Sequence, residues 1–305
     1  MFCYRLYGMN IWSDISFPQL AEADISDEIT NIRKVKICSG EIPAIIIEQE
    51  FDKKYEFGSS QSWLCNKTMR MIVENGSSIT YSLKENGNIS YLKTYILGYG
   101  IAMLCLQQGR LAVHCSAVAD NNGAILIAGE SGAGKSTLTG EFLENGFRLM
   151  ADDMAVVDTD ERNNTIAYPA FPYQKLCGNT IREKYPDITE LIYIDEYKDK
   201  FLVPYKPPFR FHSEKLTGLF ILQIHNERDI VIEEIKGINK LYAILHNLFL
   251  RALLGERLYE QAIVQPALQV IADIPVYCVK RPKDCDTIRE LSGKLITLVK
   301  HLPIK

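Results

Sequence analysis

The pattern of apolar and polar residues divides the chain into two parts of different character. Up to about residue 88 the apolar runs are short and are separated by Gly, Asp, Asn and Ser, as is typical of strands. These runs cover residues 4–11, 35–37, 44–47, 69–73 and 79–83. They predict a small antiparallel, β-rich domain over residues 1–88. Strand and helix patterns mix in the remainder, which predicts a second, α/β domain over residues 89–305.

Apolar residues at helical spacing predict four helices in the second part, besides a shorter one over residues 138–145. The first covers residues 90–108 before Gly109, and we expect it to pack against the sheet of the second domain. Its apolar run is interrupted by glycines and tyrosines and falls short of the ~20 residues of a membrane span. No signal pattern precedes it, so we expect a cytoplasmic protein without a membrane partner. The other predicted helices cover residues 238–254, 260–271 and 287–300.

The most specific motif is GESGAGKST at residues 129–137, which fills every position of the pattern GxxxxGK[ST]. A buried strand is predicted before it and a helix after it, so its glycines can turn backbone N–H groups toward phosphate oxygens at a helix start. Lys135 supplies a full positive charge and Ser136 a hydroxyl for Mg²⁺. The sequence therefore predicts a site for ATP with Mg²⁺. Its expected residues are Gly129, Glu130, Ser131, Gly132, Ala133, Gly134, Lys135, Ser136 and Thr137.

Two adjacent carboxylates, Asp152 and Asp153, follow the loop helix between two apolar stretches. If this segment continues a strand, one carboxylate faces Mg²⁺ and the other a substrate hydroxyl, because neighbouring side chains point to opposite faces. A surface turn with two solvated acids is the alternative. Upstream, His114 lies in an apolar run expected to pair with the strand before the loop. Taken alone, a histidine in a strand is more often a core residue than a catalyst.

In their order along the chain, these motifs resemble the bacterial HPr kinase/phosphorylase superfamily. The pattern is HxxxV, a hairpin, GxSGxGKS, a short helix and RLxADD, and here it runs from His114 to Asp153. Other segments are more similar to the HPr-kinase-related proteins encoded beside lasso-peptide biosynthesis genes. They cover residues 4–13, 168–176, 200–204, 216–222 and 276–283. The resemblance implies a P-loop, HPr-kinase-like α/β core with a smaller N-terminal β-rich domain. It also implies an ATP-dependent kinase that acts on the C-terminal serine of a lasso precursor peptide.

The resemblance assigns a role to each matching residue. Lys135 would contact the β- and γ-phosphates, Ser136 would bind Mg²⁺ and Asp153 would accept the proton of the serine hydroxyl. Asp152 would support the metal or the base, and His114 would orient the acid pair. The family's Glu-x-Arg-Gly-Leu segment, which contributes a metal ligand and a catalytic arginine, has no counterpart in this sequence. This departure counts against phosphorylase activity and an HPr substrate, and it leaves the kinase half intact.

The acceptor is the least defined feature of the sequence. Residues 198–211 are rich in cations, aromatic rings and prolines, and they could grip a peptide or its terminal carboxylate or form a solvated connection. The candidate substrate cations are Lys175, Lys200, Lys206 and Arg210, with Arg251 and residues 280–283 as further candidates. A kinase of small hydroxyl metabolites, a nucleotide-sensing module and an enzyme acting in the reverse direction stay open. The intact acid pair argues against the sensor, because a sensor needs no base.

Composition sets further limits. A length of 305 residues with 47% hydrophobic and 24% charged residues is ordinary for a globular enzyme. The net charge of -4 gives no support to nucleic-acid binding. Eight cysteines without a CxxC pair predict free thiols, and five histidines lack metal-ligand spacing. We therefore expect no metal besides Mg²⁺, and a homo-oligomer is left open.

Overall fold

The computed structural model describes residues 1–23, 32–184, 191–195, 199–206, 209–283 and 286–302. Within these ranges the chain has mixed α/β structure with three sheets. Internal contacts group it into two compact units. The first comprises Met1–Arg110, Lys175–Pro204 and Ala252–Arg257, and the second comprises Leu111–Gln174, Tyr205–Arg251 and Leu258–Lys305. The predicted division at residue 88 stays a prediction.

The elements are numbered in chain order. The strands are β1 (Phe2–Leu6), β2 (Met9–Ser13), β3 (Arg33–Ser39), β4 (Tyr55–Glu56), β5 (Gln61–Cys65), β6 (Met69–Glu74), β7 (Ser78–Leu83), β8 (Leu111–Val113), β9 (Cys115–Ala119), β10 (Ala124–Gly129), β11 (Arg148–Ala151), β12 (Ala155–Thr159), β13 (Thr165–Tyr168), β14 (Tyr173–Cys177), β15 (Ile192–Asp195), β16 (Lys200–Pro204), β17 (Glu214–His225), β18 (Val231–Ile235) and β19 (Val276–Pro282). The helices are α1 (Ala44–Gln49), α2 (Ile89–Tyr95), α3 (Ile101–Gln107), α4 (Lys135–Glu144), α5 (Gly178–Lys184), α6 (Ile238–Leu245), α7 (Arg251–Leu254), α8 (Gln261–Asp273) and α9 (Ile288–Lys300). A π-helical turn, Ile96–Gly100, joins α2 to α3, and a 3-10 turn, Gly255–Tyr259, follows α7.

The first unit is built on a seven-stranded sheet with the order β1-β2-β3-β7-β6-β5-β4. β3 pairs in parallel with both of its neighbours, β2 and β7, whereas the other pairs are antiparallel. The expectation of a wholly antiparallel domain is therefore wrong. Parallel neighbours need a crossover between them, and the chain between β3 and β7 forms α1 and the antiparallel strands β4 to β6. A three-stranded sheet of order β14-β16-β15 follows later in the chain.

Residues 44–47, predicted as a strand, form most of helix α1. Pro43 stands at the N-cap of this helix, a position beside the first turn where its missing N–H does no harm. Ile46 is 3% exposed and Ile45 is 59% exposed, so the apolar run buries only one side. Ile46 belongs to a cluster with Ile42, Trp63, Cys65 and Ile72. A short apolar run does not distinguish a strand from a helix, and packing on β5 and β6 decides here.

The long helix before the second unit packs on the first sheet. Its π-helical turn brings Gly100 so close to Met71 that a Cβ on Gly100 would lie 2.9 Å from the Met71 sulfur. At its end, the side-chain amide of Gln107 donates to the Val73 carbonyl at 3.0 Å. Gly109 then turns the chain with a φ of +71°. The expectation that this helix packs on the sheet of the second domain is corrected by these contacts.

This helix, Ile89–Gln107, has 19 residues and is long and apolar enough to cross a membrane. The expectation that this apolar run falls short of a membrane span is therefore wrong, because its glycines lie within the helix and do not interrupt it. Half of its most apolar stretch is buried inside the protein, as in the core helices of globular proteins. The cytoplasmic location and the lack of a membrane partner stay predictions.

The second unit is built on a nine-stranded sheet. Its main path has the order β11-β9-β10-β17-β13-β12-β8, and β19 pairs with β17 and carries β18 on its other side. β17 is long enough to pair with β13 at its start and with β10 and β19 further on. Helices α4 and α9 pack together on one face of this sheet. The core between these helices and the sheet includes Leu138, Phe142, Phe220, Leu291 and Leu295.

The helix predicted over residues 238–254 is interrupted after Leu245. Residues 247–249 leave the helix and bond to the edge of the sheet instead, where the Phe249 N–H donates to the Ala112 carbonyl at 2.9 Å. Leu248 forms a bridge with Val113 in β8. Bonds to β8 thus replace the helical bonds, and neither Gly nor Pro marks the interruption. The helices predicted over residues 260–271 and 287–300 correspond to α8 and α9.

Candidate functional site

The carboxyl ends of β10, β11, β17 and β19 lie on the same side of the nine-stranded sheet, which we call the carboxyl edge. β10, β17 and β19 run in parallel, and β11 has the same direction because β9, between β10 and β11, is antiparallel to both. Across this edge the order is β11, β9, β10, β17, β19. Open α/β sheets bind ligands at the carboxyl ends of their strands. The glycine-rich loop follows β10 and the acid pair follows β11, so both lie at this edge.

The loop after β10 has backbone conformations that require glycine. Gly129, Gly132 and Gly134 have φ angles of +138°, +85° and +99°, in the region that other residues rarely adopt. At Gly129 the space also excludes a side chain, because a Cβ there would lie 2.3 Å from the Leu222 carbonyl oxygen in β17. The loop is therefore fixed by both conformation and packing at its first residue.

Helix α4 begins at Lys135, within the motif. The Lys135 ammonium donates to the carbonyl oxygens of Gly129 and Glu130 at 2.6 and 3.1 Å. The positive charge thus lies over the start of the loop, next to the N–H groups of the first helical turn. Of the other residues predicted to bind the nucleotide, Ala133 is buried and Gly134 is half-buried. The exposed residues are Glu130, Ser131, Gly132, Ser136 and Thr137.

The two strands that carry His114 and the acid pair are interrupted at the same level. His114 separates β8 from β9, and residues 152–154 separate β11 from β12. β9 pairs with β11 before the interruption and β8 pairs with β12 after it, in the same register. The flanking partners are Ala151 with Ala117 and Ala155 with Val113. His114 therefore lies across from the acid pair, although 38 or more residues separate them in the chain.

His114 is held against the backbone of Asp153. Its Nδ1 lies 2.9 Å from the Asp153 carbonyl oxygen and 3.8 Å from Oδ1 of the same residue. Because a carbonyl oxygen only accepts, Nδ1 carries the hydrogen and donates it. The His114 N–H donates to the Asn247 carbonyl at 2.7 Å, and the Phe249 ring packs edge-on against the imidazole. The interrupted helix α6–α7 thus helps to position this histidine.

The two carboxylates have different surroundings. Asp152 Oδ1 accepts a hydrogen bond of 2.7 Å from the hydroxyl of Ser116, a buried residue of β9. Asp153 lies beside His114 and has a φ of +70°, an uncommon conformation for a residue other than glycine. The pair therefore lies in a strained bend, and the expected alternation along a strand is wrong. Both side chains are partly exposed and can be reached by a ligand.

The thiol of Cys115 lies within reach of the charges of this edge. Burial raises the pKa of Cys115 far above its ordinary value, and the Lys135 ammonium opposes this shift. The charges of Asp152 and Asp153 raise the same pKa further. The loop lysine and the acid pair thus act in opposite directions on the pKa of the same thiol.

The four predicted substrate cations are divided between the units. Lys175 and Lys200 belong to the first unit, and Lys206 and Arg210 belong to the second. Arg210 is hydrogen-bonded through Nε to Glu214, so it already has a carboxylate partner within the protein. Lys206 is exposed.

The segment proposed to grip a peptide is only partly an open loop. Residues 200–204 form strand β16, whereas residues 198 and 207–208 lie outside the described ranges. Of the further candidates, Arg251 donates to the His246 carbonyl and Lys280 pairs with Glu233. These side chains act in local contacts, as exposed charges commonly do.

Sequence reasoning missed two residues that shape the site and did not identify the role of a third. Ser116 holds Asp152, and Asn247 holds the His114 backbone. Arg281, noted only as part of a basic run, donates from Nε to the Ala133 carbonyl of the loop at 2.8 Å. The signal for Arg281 was its place at the end of an apolar run, which is β19. Nothing local marked Asn247, because its partner lies in a distant part of the chain.

No family model and no curated protein matches the chain. Among solved structures, it is similar to the Hpr(Ser) kinase/phosphatase from Coxiella burnetii, with 13% sequence identity over 62% of this chain and 95% of that chain. The TM-score of this match is 0.31, below the level at which a shared fold is established. The function therefore has to be argued from the residues of the site.

Proposed function

We propose that the protein is a P-loop kinase that transfers the γ-phosphoryl group of ATP to a hydroxyl group, with Mg²⁺ as the metal. The observation that carries this proposal is the shared sheet edge of the glycine-rich loop and the acid pair. A loop of this kind binds phosphates, and carboxylates beside it supply the metal ligand and the base that phosphoryl transfer needs. A nucleotide sensor has no use for the base.

The residues of the loop fit a bound nucleotide. Gly129 leaves no room for a Cβ, and the positive φ angles of Gly132 and Gly134 keep the backbone open to phosphate oxygens. Lys135, whose ammonium lies over the start of the loop, would hold the β- and γ-phosphates. Mg²⁺-ATP supplies the phosphoryl group. Mg²⁺ commonly takes one or two protein ligands besides phosphate oxygens and water, which matches the pair of Ser136 and Asp152.

We assign different roles to the two carboxylates because their hydrogen-bonding partners differ. Asp152 is oriented by the Ser116 hydroxyl, so we assign it to the metal. Asp153 is assigned to the acceptor hydroxyl, whose proton it takes during the transfer. His114 holds the backbone of Asp153 and acts as a positioning residue. Lys135 and the loop N–H groups stabilise the charge of the transferred group.

For the acceptor we propose a serine hydroxyl, and specifically the C-terminal serine of a lasso precursor peptide. This choice of acceptor is supported by the sequence resemblance alone. A terminal carboxylate needs a cation, and the exposed Lys206 is the candidate in the second unit, because Arg210 is engaged by Glu214. Lys175 and Lys200 are the candidates in the first unit.

The test is an incubation of the protein with Mg²⁺, ATP and a peptide that ends in serine, followed by mass spectrometry. We expect a gain of ~80 Da on the terminal serine, the mass of one phosphoryl group. The same peptide with an amidated C-terminus, or with the serine moved inward, should be phosphorylated less. The Lys135→Ala protein is the matched control and should transfer at least about 100-fold more slowly.

The outcomes separate the alternatives. Transfer to free serine or a sugar, with the peptide unchanged, would support a kinase of small hydroxyl compounds and would overturn the peptide substrate only. ATP binding without transfer to any acceptor would support a sensor. Equal turnover by the wild type and Lys135→Ala would overturn the kinase itself.

A further inference from the structure

A small cavity lies beside the loop, on the side away from the acid pair. Its volume is about 160 Å³, which suits one part of a ligand better than a whole one. The cavity is bounded by the start of α4, the end of β19 and the start of α9. Its lining residues are Gly134, Thr137, Arg281, Asp286, Thr287 and Ile288.

Arg281 ties this cavity to the loop. Its Nε donates to the Ala133 carbonyl at 2.8 Å, and its Nη1 donates to the Pro282 carbonyl at 3.1 Å. The guanidinium packs against Gly134, where a Cβ would lie 3.2 Å from Nε. On β17, the partner of Arg281 is Ile224, whose side chain is 43% exposed. A fixed planar cation next to an apolar side chain is a surface on which a planar ring can stack.

Thr287 adds an unused polar group. Its Oγ1 is buried and makes no hydrogen bond within the described part of the chain. Thr287 occupies the N-cap of α9, yet its side chain does not cap the helix. A buried hydroxyl without a partner is destabilising, so it needs an explanation. The neighbouring Asp286 is exposed; its Oδ1 accepts a hydrogen bond of 3.4 Å from the Ile288 N–H, and its carboxylate can accept further ones.

The acid pair and the cavity lie on opposite sides of the loop in the order of strands. The acid pair follows β11 on one side of the loop, and Arg281 lies in β19 on the other. A γ-phosphate that reacts near Asp153 places the α-phosphate and the nucleoside toward β19. We propose that the cavity binds this nucleoside, with the base stacked on Arg281 and with hydrogen bonds to Thr287 and Asp286. This inference rests on the proposed function.

The experiment compares Mg²⁺-ATP with inorganic tripolyphosphate, which has the phosphates but no nucleoside, by calorimetry. We expect Thr287→Val to weaken ATP binding about tenfold through the loss of a hydrogen bond. Asp286→Asn should weaken it by a similar factor, because a neutral amide oxygen is a weaker acceptor than a carboxylate. Binding of tripolyphosphate should be unchanged in both variants. The melting temperature of Thr287→Val should be equal to or above that of the wild type, since the valine removes the unpaired hydroxyl.

Matched controls lie away from the cavity. Thr297→Val changes an exposed threonine further along α9, and Asp273→Asn removes an exposed charge at the end of α8, before β19 begins. Both should bind ATP like the wild type. ATP affinity unchanged in Thr287→Val and Asp286→Asn, or an equal loss for tripolyphosphate, would overturn the nucleoside site alone. A wild type that binds neither ligand would overturn the proposed function as well.

Discussion

His114 donates a hydrogen bond of 2.9 Å from Nδ1 to the backbone carbonyl of Asp153. The bond is made where both strands of a ladder are interrupted. It couples the imidazole to the strained backbone of Asp153, whose φ is +70°. A histidine in this position sets where the carboxylate points without having to transfer a proton itself.

The first prediction follows from this bond. His114→Ala should lower kcat by about tenfold while the KM for ATP changes little, because the carboxylate is less well positioned. His114→Asn keeps a side-chain N–H that can donate to the same carbonyl and should recover most of the rate. The measurement is steady-state turnover of the three proteins.

Two results would contradict this role for His114. Wild-type turnover in His114→Ala would make the histidine an ordinary packed residue against Phe249. A loss as large as that of Asp153→Asn, without recovery in His114→Asn, would make it a group that acts directly on substrate.

The second prediction separates the two acids. Asp153→Asn should keep ATP affinity and lower transfer by about 100-fold or more, the scale of a general base. Asp152→Asn should raise the Mg²⁺ concentration needed for ATP binding, because its oxygens are assigned to the metal. Calorimetry at several Mg²⁺ concentrations, combined with turnover, distinguishes these effects.

Asp120→Asn is the control for the acid pair. It removes the same charge from the turn after β9, at the end of the sheet opposite the acid pair. It should change neither measurement. If Asp152→Asn abolished transfer at saturating Mg²⁺ and Asp153→Asn impaired metal-dependent binding, the two roles would be exchanged.

The loop could be predicted from sequence because its chemistry is local. Gly129, Gly132 and Gly134 supply the positive φ angles within six residues, and the helix follows at once. The positive φ of Asp153 could not be predicted, since it depends on a ladder in which His114 interrupts the opposite strand. The same holds for the end of α6, where the Phe249 N–H donates a hydrogen bond to the Ala112 carbonyl in β8. Long-range pairing overrode helical spacing there.

The third prediction compares two glycines of the loop. Gly129→Ala should destabilise the protein by roughly 3 kcal/mol or more, because the new methyl group meets the Leu222 carbonyl oxygen and the φ is positive. Gly132→Ala should cost only about 1 kcal/mol, since no atom lies within 4 Å of its Cβ position. It should instead weaken nucleotide binding, because the loop backbone must shift.

Denaturant unfolding and calorimetry on both glycine variants check this prediction. Gly140→Ala in α4 is the control, as its Cβ position is also open and its φ is not positive. It should stabilise the helix by up to about 1 kcal/mol and leave ATP binding unchanged. Equal stability of the Gly129 and Gly132 variants would show that the Leu222 contact does not restrict the loop.

The fourth prediction concerns the first unit and its response to acid. Glu50 forms a two-pronged hydrogen-bonded pair with Arg70, at 2.8 and 2.7 Å, and an ion pair with Lys84 at 3.1 Å. Hydrogen bonding to Arg70 lowers the pKa of Glu50 from 4.5 to about 2, against the opposing effect of burial and with help from Lys84. The folded state therefore favours the charged carboxylate.

Because this pKa is depressed on folding, the stabilisation is complete above the unfolded value of 4.5 and is lost as the pH falls toward 2. Glu50→Gln should thus be less stable than the wild type at neutral pH, and the difference should shrink between about pH 5 and pH 2. Denaturant unfolding at a series of pH values measures it. Glu56→Gln is the control, since Glu56 is exposed and its ion pair with Lys53 is 3.7 Å long. A difference between the wild type and Glu50→Gln that stays constant down to pH 2 would show that the ion pairs do not set the acid stability of this unit.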